Sequence, residues 1–393
     1  MGSHGGGATP KGDRDSLELG GSDDQNRHET VSINHRNRLD HYSVAVKITL
    51  VFVVIGLISY LVLNQSSYPS QLFQRSDSFS SSLNDSDSEK RGSSLHRFPS
   101  DQDDLPSYTS DEINKLKSTL KEAAMEDGKT VIITTLNAAW TEPNSIFDLF
   151  LESFRIGNQT LRLLNHVVVA ALDETAYARC LAVKLHCFAV TTAGVNFAVE
   201  AHFMSKDYLK MMWRRIDFLR VVLQLGYNFV FSDADVMWLR DPFPRFHPNA
   251  DFQIACDHYY EELNSTDVGN SPNGGFNYVK SNNKTIKFYK FWYMGKDYFP
   301  GKHDQDVLNM IKMDPYVKNL EMEIRFLKTA YFGGFCEPSK DLDLVITMHA
   351  NCCIGMDNKI HDIQMVIDDW KRYMKLVERN SSTRSWTVPR RCG

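Results

Sequence analysis

The sequence predicts an α/β domain with a mostly parallel sheet flanked by helices, preceded by a single transmembrane helix and a disordered stem. The chain has 393 residues, of which 42% are hydrophobic, so it can bury the core of one large domain. After residue 129, apolar segments of strand length alternate with segments of helical spacing, a pattern typical of parallel sheets with helices on both faces. The last strand of this alternation leads directly into two aspartates, and such sheets bind ligands beyond the carboxyl ends of their strands.

The alternating part contains four predicted strands and the helices between them. The strands are Thr130–Leu136, His166–Asp173, a short one beginning at Cys187, and Asn228–Asp235. The helices are Asn144–Arg155, a segment that ends at Lys184, and the long amphipathic Ser205–Leu225, which Gly226 would terminate.

The flanking segments are less regular. A short polar helix is predicted before the alternation, at Asp111–Met125. After the alternation the predicted elements are a strand at Phe252–Cys256, a hairpin-like stretch at Gly274–Val279, helices at Lys284–Met294 and Gln305–Ile311, a strand at Leu342–Met348 and a closing helix at Ile360–Glu378.

The N-terminal part divides by composition. Residues 1–43 are polar and are predicted to form a disordered cytosolic tail. Residues 44–63 are long and apolar enough to span a bilayer, and their single charge, Lys47, lies at the edge, where it can snorkel. A signal peptide is the alternative, but the segment begins far from residue 1 and no small-residue cleavage site follows it. Residues 64–110 are rich in Ser and Asp, which predicts a flexible stem, and residues 111–393 are the predicted lumenal domain.

The charges that flank the apolar segment predict its orientation. Arg36, Arg38 and Lys47 precede or begin it, whereas the first basic residue after it is Arg75. The positive-inside rule therefore keeps the N-terminus cytosolic and places the rest in the lumen. Six Asn-x-Ser/Thr glycosylation sequons lie on that side, at Asn64, Asn84, Asn158, Asn264, Asn283 and Asn380.

The cysteines also lie on the predicted lumenal side. They are Cys180, Cys187, Cys256, Cys336, Cys352, Cys353 and Cys392. Because there is no Cys-x-x-Cys pair, a zinc site is not expected. One to three disulfides with one thiol left over are predicted, in an arrangement that the sequence leaves open.

The overall charge excludes one class of partner. A net charge of -5 and a pI near 6.2 provide no basic surface of the kind that nucleic acids require. A ligand that carries phosphate would need a local cation or a bound metal.

The strongest chemical signal is the Asp-x-Asp motif formed by Asp233 and Asp235 after an apolar strand. Side chains one residue apart leave a strand on the same face, so both carboxylates can reach one cation. Mg²⁺ and Mn²⁺ prefer hard oxygen ligands and keep positions open for substrate phosphates. A divalent ion there would neutralise the charge of a departing nucleoside diphosphate.

Two other interpretations of these aspartates remain open. Aspartates are common at strand-to-turn junctions without any catalytic role. An apolar strand followed by Asp-x-Asp also opens phosphatases of the haloacid dehalogenase type, in which the first Asp is the nucleophile. In that fold the motif normally lies on the first strand, whereas Asp233 lies far into this domain and is followed by Val236-Met237-Trp238.

Several segments in one order resemble the plant nucleotide-diphospho-sugar transferase family, family 77 of the glycosyltransferases. They are TTLNAAWTEPNS, LNHVVVAALD, MSKDYLKMMWRRIDFLR, FSDADVMWLRDPF, KHDQDVLN and HANCCIGMDNK. The resemblance extends from about Thr130 to about Tyr373. It implies a GT-A-like fold, a Golgi location, and retaining transfer of a pentose such as arabinose or xylose to a cell-wall acceptor.

The resemblance also implies roles for individual residues. Asp233 resembles the contact to the nucleotide ribose, and Asp235 a metal ligand, so that both aspartates and His349 form the expected metal set. Lys359 resembles the partner of the diphosphate, and Gly355 of the same motif a donor contact. An imidazole suits Mn²⁺ and an ammonium suits phosphate. A hydrogen-bonded structural role is the alternative for the histidine.

Two further segments resemble parts of the donor site. Lys302–Asn309 resembles the loop that reaches the donor sugar, with Asp304 and Asp306 as catalytic contacts to sugar hydroxyls and Asp304 nearest the anomeric carbon. The alternative is that both are acids of a helix N-terminus. Asn273–Asn277 allows close backbone approach to a ligand, although Gly274 departs from the family pattern.

The remaining candidates lie on the long helix and after the first strand. Arg214 and Arg215 are candidates to face the diphosphate, and a solvated surface position is the alternative for at least one of them. Asn137 and Trp140 follow the first strand, where a uracil pocket would lie. A core position is the alternative for the tryptophan.

The sequence thus predicts a glycosyltransferase that uses a UDP-sugar donor with Mn²⁺, or alternatively Mg²⁺. The expected acceptor is a hydroxyl of a glycan or glycoprotein, and the expected membrane contact is one N-terminal helix. A catalytically inactive scaffold of the same fold is the alternative from another class.

Overall fold

The computed structural model describes residues 108–190, 204–377 and 386–392, which all belong to one compact unit, residues 94–393. Within these ranges, no helix is both long enough and apolar enough to cross a bilayer. The predicted cytosolic tail, the predicted span at residues 44–63 and nearly all of the predicted stem lie outside the described residues.

The strands of the described residues follow the alternation in the sequence. They are β1 (Thr130–Leu136), β2 (Val167–Ala171), β3 (His186–Ala189), β4 (Asn228–Ser232), β5 (Val236–Trp238), β6 (Phe252–His258), β7 (Ser271–Val279), β8 (Ile324–Phe326), β9 (Phe332–Gly334) and β10 (Thr347–His349).

The helices begin mostly at side chains that cap them. They are α1 (Ser110–Ala123), α2 (Ile146–Ile156), α3 (Glu174–Ala182), α4 (Lys206–Gln224), α5 (Asn283–Tyr298), α6 (Asp304–Ile311), α7 (Pro315–Asn319) and α8 (Met356–Val377). Thr109 and Asn282 each form a capping box, and Asp173, Ser205 and His303 accept a first-turn N–H.

The main sheet has seven strands in the order β3-β2-β1-β4-β7-β6-β8. Its first four strands are parallel, β7 is antiparallel to both of its neighbours, and β8 is parallel to β6. The predicted α/β class and the mostly parallel sheet are therefore confirmed. The carboxyl ends of β1 and β4 meet at one edge, where a ligand can bind.

Side chains of the parallel strands alternate between two cores. In β1, Ile132 belongs to one apolar cluster, and Val131 and Ile133 belong to the other, because successive strand residues point to opposite faces. The first cluster is covered by α2 and α8, and the second by α1, α4, α5 and α6. The strands are apolar along their whole length because both faces are buried.

A second sheet of three short strands, in the order β5-β10-β9, lies after the Asp-x-Asp motif. Its strand β10 is antiparallel to β5, with His349 opposite Val236. The backbone N–H of Ala350 donates to the carbonyl of Asp235 at 3.0 Å. This pairing carries the end of β10 to the turn that bears the two aspartates.

Two predicted strands differ from the observed ones for local reasons. The strand predicted at Leu342–Met348 is wrong over most of its length, because Leu344 and Val345 both donate to the carbonyl of Asp341 and form a turn. Only Thr347–His349 is a strand. The strand predicted to reach the second aspartate ends at Ser232, before the turn.

The cysteines form three disulfides, Cys180–Cys187, Cys336–Cys352 and Cys353–Cys392. Cys256 is a buried free thiol. This confirms the predicted disulfides with one thiol left over. The adjacent Cys352 and Cys353 bond to different partners, so the segment after β10 is tied both to the β9 region and to the C-terminus.

The C-terminal segment 386–392 is held by a buried carboxylate of α8. Asp362 Oδ2 accepts the backbone N–H groups of Arg390, Arg391 and Cys392 at 2.8, 2.9 and 2.9 Å. Burial raises the pKa of this carboxyl, but the hydrogen bonds from His361 and from the backbone outweigh burial and hold the pKa below its usual range. The carboxylate is therefore ionised at neutral pH.

We predict that Asp362→Ala lowers the free energy of unfolding by about 1–3 kcal/mol at neutral pH, because three N–H groups lose their acceptor. A depressed pKa stabilises the fold above the unfolded value of about 3.9 and loses that contribution as pH falls through the folded value. The difference between the variant and the parent should therefore shrink in strong acid. Urea unfolding measures it, with the exposed Asp368→Ala of the same helix as control; equal losses in both variants would contradict the prediction.

Candidate active site

Two aspartates occupy the turn between β4 and β5. Asp233 N–H donates to the carbonyl of Gly275 at 2.7 Å, and Val236 N–H donates to the carbonyl of Asp233 at 3.1 Å. Asp235 is buried, whereas Asp233 is partly exposed. The turn therefore presents two carboxylates at the carboxyl end of a central strand.

His349 joins the two aspartates from β10. Its Nε2 lies 3.1 Å from Asp235 Oδ1. One ligand atom from each of Asp233, Asp235 and His349 lies within 4.8 Å of the others. Carboxylate oxygens with one imidazole nitrogen form a donor set that suits Mn²⁺. The three residues predicted to form the metal set are thus brought together and fit a divalent cation.

Lys359 of α8 completes the surroundings of Asp235. Its Nζ lies 2.5 Å from Asp235 Oδ2 and 5.5 Å from the centroid of the Trp140 ring. Burial raises the pKa of Asp235, but Lys359 and His349 outweigh burial and hold the pKa well below its usual range. Burial in turn lowers the pKa of His349, and the Asp235 carboxylate more than offsets it, so that this pKa is raised.

Arg215 links two parts of the site from α4. Its guanidinium lies 2.8 Å from Asp233 Oδ1 and 2.5 Å from Asp304 Oδ2, and it lies over the Phe231 ring at 4.9 Å. Burial raises the pKa of Asp233, and the neighbouring Asp235 charge adds to this against the effect of Arg215. Of Asp233 and Asp235, Asp233 is therefore the carboxylate whose charged form is less favoured.

The adjacent arginine of α4 lies elsewhere. Arg214 pairs with Asp217 at 3.3 Å and lies over the Tyr108 ring at 4.4 Å. Successive helix residues point about 100° apart, so that Arg215 points to Asp233 and Asp304, whereas Arg214 points to Asp217. The sequence alone did not decide between the two.

The predicted sugar-contacting acids occupy different positions on α6. Asp304 is 1% exposed and its carboxylate pairs with Arg215. Asp306 is partly exposed, and its Oδ1 lies 3.4 Å from His303 Nε2. Both stand in the first turn of the helix, which was the alternative interpretation. Gln305, which lies between them in the sequence, is also partly exposed.

The remaining predicted residues lie around the site at β1 and α8. Asn137 is buried and precedes a short 3₁₀ helix, Ala138–Trp140. Trp140 packs partly on the core while its ring lies near Lys359. Gly355 precedes α8 with a φ of 90°, and its carbonyl accepts Lys359 N–H at 3.1 Å. The core position, which was the alternative for Trp140, is thus observed in part, and contact with a uracil base stays a prediction.

Gly275 lies against the metal-type cluster. A Cβ added there would lie 2.5 Å from His349 Cε1 and 2.7 Å from Asp233 Oδ2, closer than atoms pack. A Cβ at Gly274 would meet its nearest neighbours, Arg215 and Asp304, at 3.8 and 3.9 Å, which is ordinary contact. The cluster therefore requires glycine at residue 275, whereas residue 274 has room for a side chain.

Four polar side chains near the site were not predicted as site residues from the sequence. They are Asp257, Asn273, Gln305 and Asn351, which are joined by hydrogen bonds at the carboxyl ends of β6 and β10 and at the start of α6. Gln305 and Asn351 lie inside motifs already singled out, and Asn273 lies in the glycine segment. Their positions within those motifs were the available signal.

An α/β sheet that carries an Asp-Asp-His cluster at its strand ends, with a lysine and an arginine beside it, is the arrangement of a GT-A-like glycosyltransferase. Residues 162–363 match the family model of the nucleotide-diphospho-sugar transferases. The chain belongs to this family and is a glycosyltransferase.

Several plant proteins are similar in sequence. An uncharacterised protein of Arabidopsis thaliana is 50% identical over 305 residues, which cover 75% of this chain and 80% of that protein. The beta-arabinofuranosyltransferase RAY1 of the same plant is 31% identical over 123 residues, 30% of this chain and 22% of that protein. Its UDP-D-xylose:L-fucose alpha-1,3-D-xylosyltransferase is 28% identical over 167 residues, 42% of this chain and 45% of that protein.

A solved structure also aligns, though loosely. The galactosyltransferase LgtC, in complex with donor and acceptor sugar analogues, is 11% identical and covers 66% of this chain and 97% of its own, with a TM-score of 0.34.

We predict that Gly275→Ala lowers the free energy of unfolding by about 1–3 kcal/mol, because the new methyl group overpacks the cluster. The variant should also lose affinity for Mn²⁺, since His349 and Asp233 must separate to admit it. Gly274→Ala is the matched control and should change neither. Urea unfolding and Mn²⁺ calorimetry measure both effects, and equal behaviour of the two variants would show that the cluster is not crowded at residue 275.

Proposed function

We propose that this glycosyltransferase transfers a sugar from a UDP-sugar to a hydroxyl of a glycan or glycoprotein, with retention, and that it requires Mn²⁺. The observation that carries the proposal is the cluster of Asp233, Asp235 and His349 with Lys359 beside it. A bound divalent ion would supply positive charge to the diphosphate of the donor. Retention is what the resemblance to the plant family implies.

The cations of the site have complementary proposed tasks. Lys359 pairs with Asp235, and its flexible ammonium would suit a phosphate of the donor. Arg215 is buried between Asp233 and Asp304 and keeps both carboxylates in place. Asp304 therefore orients Arg215 in this proposal, and direct contact of Asp304 or Asp306 with the sugar remains a prediction.

We propose that the base contacts lie at the end of β1 and the diphosphate contact at the start of α8. Trp140 offers an aromatic face and Asn137 a buried amide at the end of β1, groups that suit a planar base with polar edges. Gly355 at the start of α8 leaves room for the diphosphate near a helix N-terminus.

We propose a pentose as the transferred sugar. The support is the two characterised plant relatives, which are named for transfer of arabinofuranose and xylose, together with the resemblance of the site motifs to that plant family. Hexose donors are the alternative outcome of a donor screen.

Two rival functions make different demands on the same residues. An inactive scaffold needs neither a metal nor a donor, whereas this chain keeps His349 and Lys359 in contact with Asp235 and a ligand atom of Asp233 within 4.8 Å. A phosphatase of the haloacid dehalogenase type needs Asp233 free to act as a nucleophile, but one of its oxygens is held by Arg215. The transferase proposal uses every member of the cluster.

We predict that the full chain with Mn²⁺ releases UDP from UDP-xylose or UDP-arabinose, and that Asp235→Asn lowers this release by about a hundredfold or more, because a metal ligand is lost. UDP release across a panel of UDP-pentoses and UDP-hexoses measures it. A parent protein that releases no UDP from any donor would favour the scaffold.

Binding calorimetry separates the roles of the individual residues. Lys359→Ala should not lower the Mn²⁺ affinity, because it removes a cation that competes for Asp235, and it should weaken UDP binding, because the cation proposed to meet the diphosphate is lost. Lys371→Ala of the same helix, whose surface partner is Glu152, is the matched control and should change neither affinity. If Asp235→Asn binds Mn²⁺ and UDP as the parent does, the metal assignment is wrong.

We also propose that the protein is a type II membrane protein of the Golgi with its catalytic domain in the lumen. The support is the apolar segment at residues 44–63, the basic residues before it, and the three disulfides, which are typical of oxidising compartments.

We predict that protease added to sealed microsomes removes only the N-terminal tail, because the bilayer shields the rest of the chain. Immunoblotting of the catalytic domain measures this, and detergent should make the domain accessible as the positive control. A domain digested without detergent would contradict the topology.

A further inference from the structure

The carboxylate of Asp257, which follows Cys256 near the end of β6, receives hydrogen bonds from three side-chain amides. Asn273 Nδ2 and Asn351 Nδ2 each donate to Oδ1 at 2.8 Å, and Gln305 Nε2 donates to Oδ2 at 2.6 Å. Asn273 and Asn351 are buried, and Asp257 and Gln305 are partly buried. One carboxylate thus joins β7, α6 and the segment after β10.

The oxygen of each amide accepts a hydrogen bond of its own. Asn273 Oδ1 accepts Gly275 N–H at 2.8 Å, and Gln305 Oε1 accepts Gly274 N–H at 3.0 Å. Asn351 Oδ1 accepts the backbone N–H of Cys336 at 3.2 Å. Each amide therefore has a defined orientation, with its oxygen toward the backbone and its nitrogen toward the carboxylate.

Each of these amides adjoins a residue of the proposed active site. Gln305 follows Asp304, which pairs with Arg215, and Asn351 comes two residues after His349. A primary amide has two N–H donors and an oxygen with two lone pairs. With one N–H directed at Asp257, each amide keeps donor and acceptor capacity that matches sugar hydroxyls.

We infer that Asp257 is a positioning residue of the transfer reaction, whose carboxylate sets the orientation of Asn273, Gln305 and Asn351 toward the sugar substrates. This inference rests on the proposed function. An ionised carboxylate only accepts hydrogen bonds, so that every amide facing it must present nitrogen. An amide in its place would present one N–H₂ group and leave at least one of the three partners facing a donor.

The packing around Asn351 and Asn273 leaves little room for either amide to move. A Cβ at Gly334 would lie 2.3 Å from Asn351 Oδ1, and a Cβ at Gly275 would lie 3.0 Å from Asn273 Oδ1. The backbone at Gly334 and at Gly275 thus lies directly against the amides of Asn351 and Asn273. Rotation of either amide would bring its N–H₂ group against a backbone N–H.

Hydrogen–deuterium exchange of the full chain tests the positioning without any substrate. In Asp257→Asn, we expect at least one of the Gly274 and Gly275 amides, whose acceptors are Gln305 and Asn273, to exchange about tenfold faster, since the loss of one hydrogen bond to a charged group costs about a factor of ten. Asp267→Asn is the matched control. It lies on the connection between β6 and β7, ten residues after Asp257, accepts one N–H from Gly269, and should leave exchange at residues 271–279 unchanged.

Kinetics with UDP-xylose as probe separates positioning from donor binding. We expect Asp257→Asn to lower kcat by about ten- to a hundredfold, because small misplacements of reacting groups cost that much. The Mn²⁺ and UDP affinities should change by less than about twofold, since none of the metal-set residues bonds to Asp257 in the described structure. The double variant Asp257→Asn with Gln305→Ala should be slowed by less than the product of the two single effects, because part of the effect of Asp257 acts through its contact with Gln305.

The outcomes are distinguishable from failure of the proposed function. A parent that neither binds UDP with Mn²⁺ nor turns over any donor contradicts the proposed function, and exchange alone then decides whether Asp257 holds the amides. Unchanged exchange in Asp257→Asn overturns the inference whatever the parent does. With an active parent, unchanged kcat or strictly additive effects in the double variant overturn it as well.

Discussion

The balance of buried charge is the constraint on which the active site depends. Asp235 and Asp304 are almost completely buried, and an ionised carboxylate in such a place is costly unless it is paired. Lys359 from α8 and Arg215 from α4 provide the pairing. The two helices cover opposite faces of the sheet, so that their cations meet the carboxylates only at the strand ends. Removing either cation would leave a buried charge without its partner, which ties the packing of the helices to the chemistry of the site.

Close backbone approach is the second condition of the same site. The turn after β4 and the strand β7 come together where Asp233 N–H meets the carbonyl of Gly275, and the histidine of β10 fills the space that a side chain at residue 275 would occupy. Backbone hydrogen bonds thus help to hold the ligand atoms within 4.8 Å of one another. A site that its own backbone holds in place loses less conformational entropy when a ligand binds.

Local pattern was sufficient for most of the main sheet. Thr130–Leu136 has the predicted bounds, because a fully buried strand between two parallel neighbours is apolar along its length. The apolar Leu342–Met348 looks the same in sequence, yet most of it forms a turn whose side chains fill the core. Short apolar runs do not distinguish these cases, since burial and not strand pairing produces the pattern.

The sequence by itself determined the α/β class, the aspartate pair at a strand end and the presence of disulfides, because each follows from short-range periodicity or from residue type. Resemblance to a family added His349 and Lys359. Only the tertiary structure decided that Arg215 and not its neighbour reaches the aspartates, and that Asp257 gathers three amides. These contacts join residues up to 94 positions apart, as in the pair of Asn351 with Asp257, and their geometry depends on how helices and loops pack on the sheet, which no local pattern encodes.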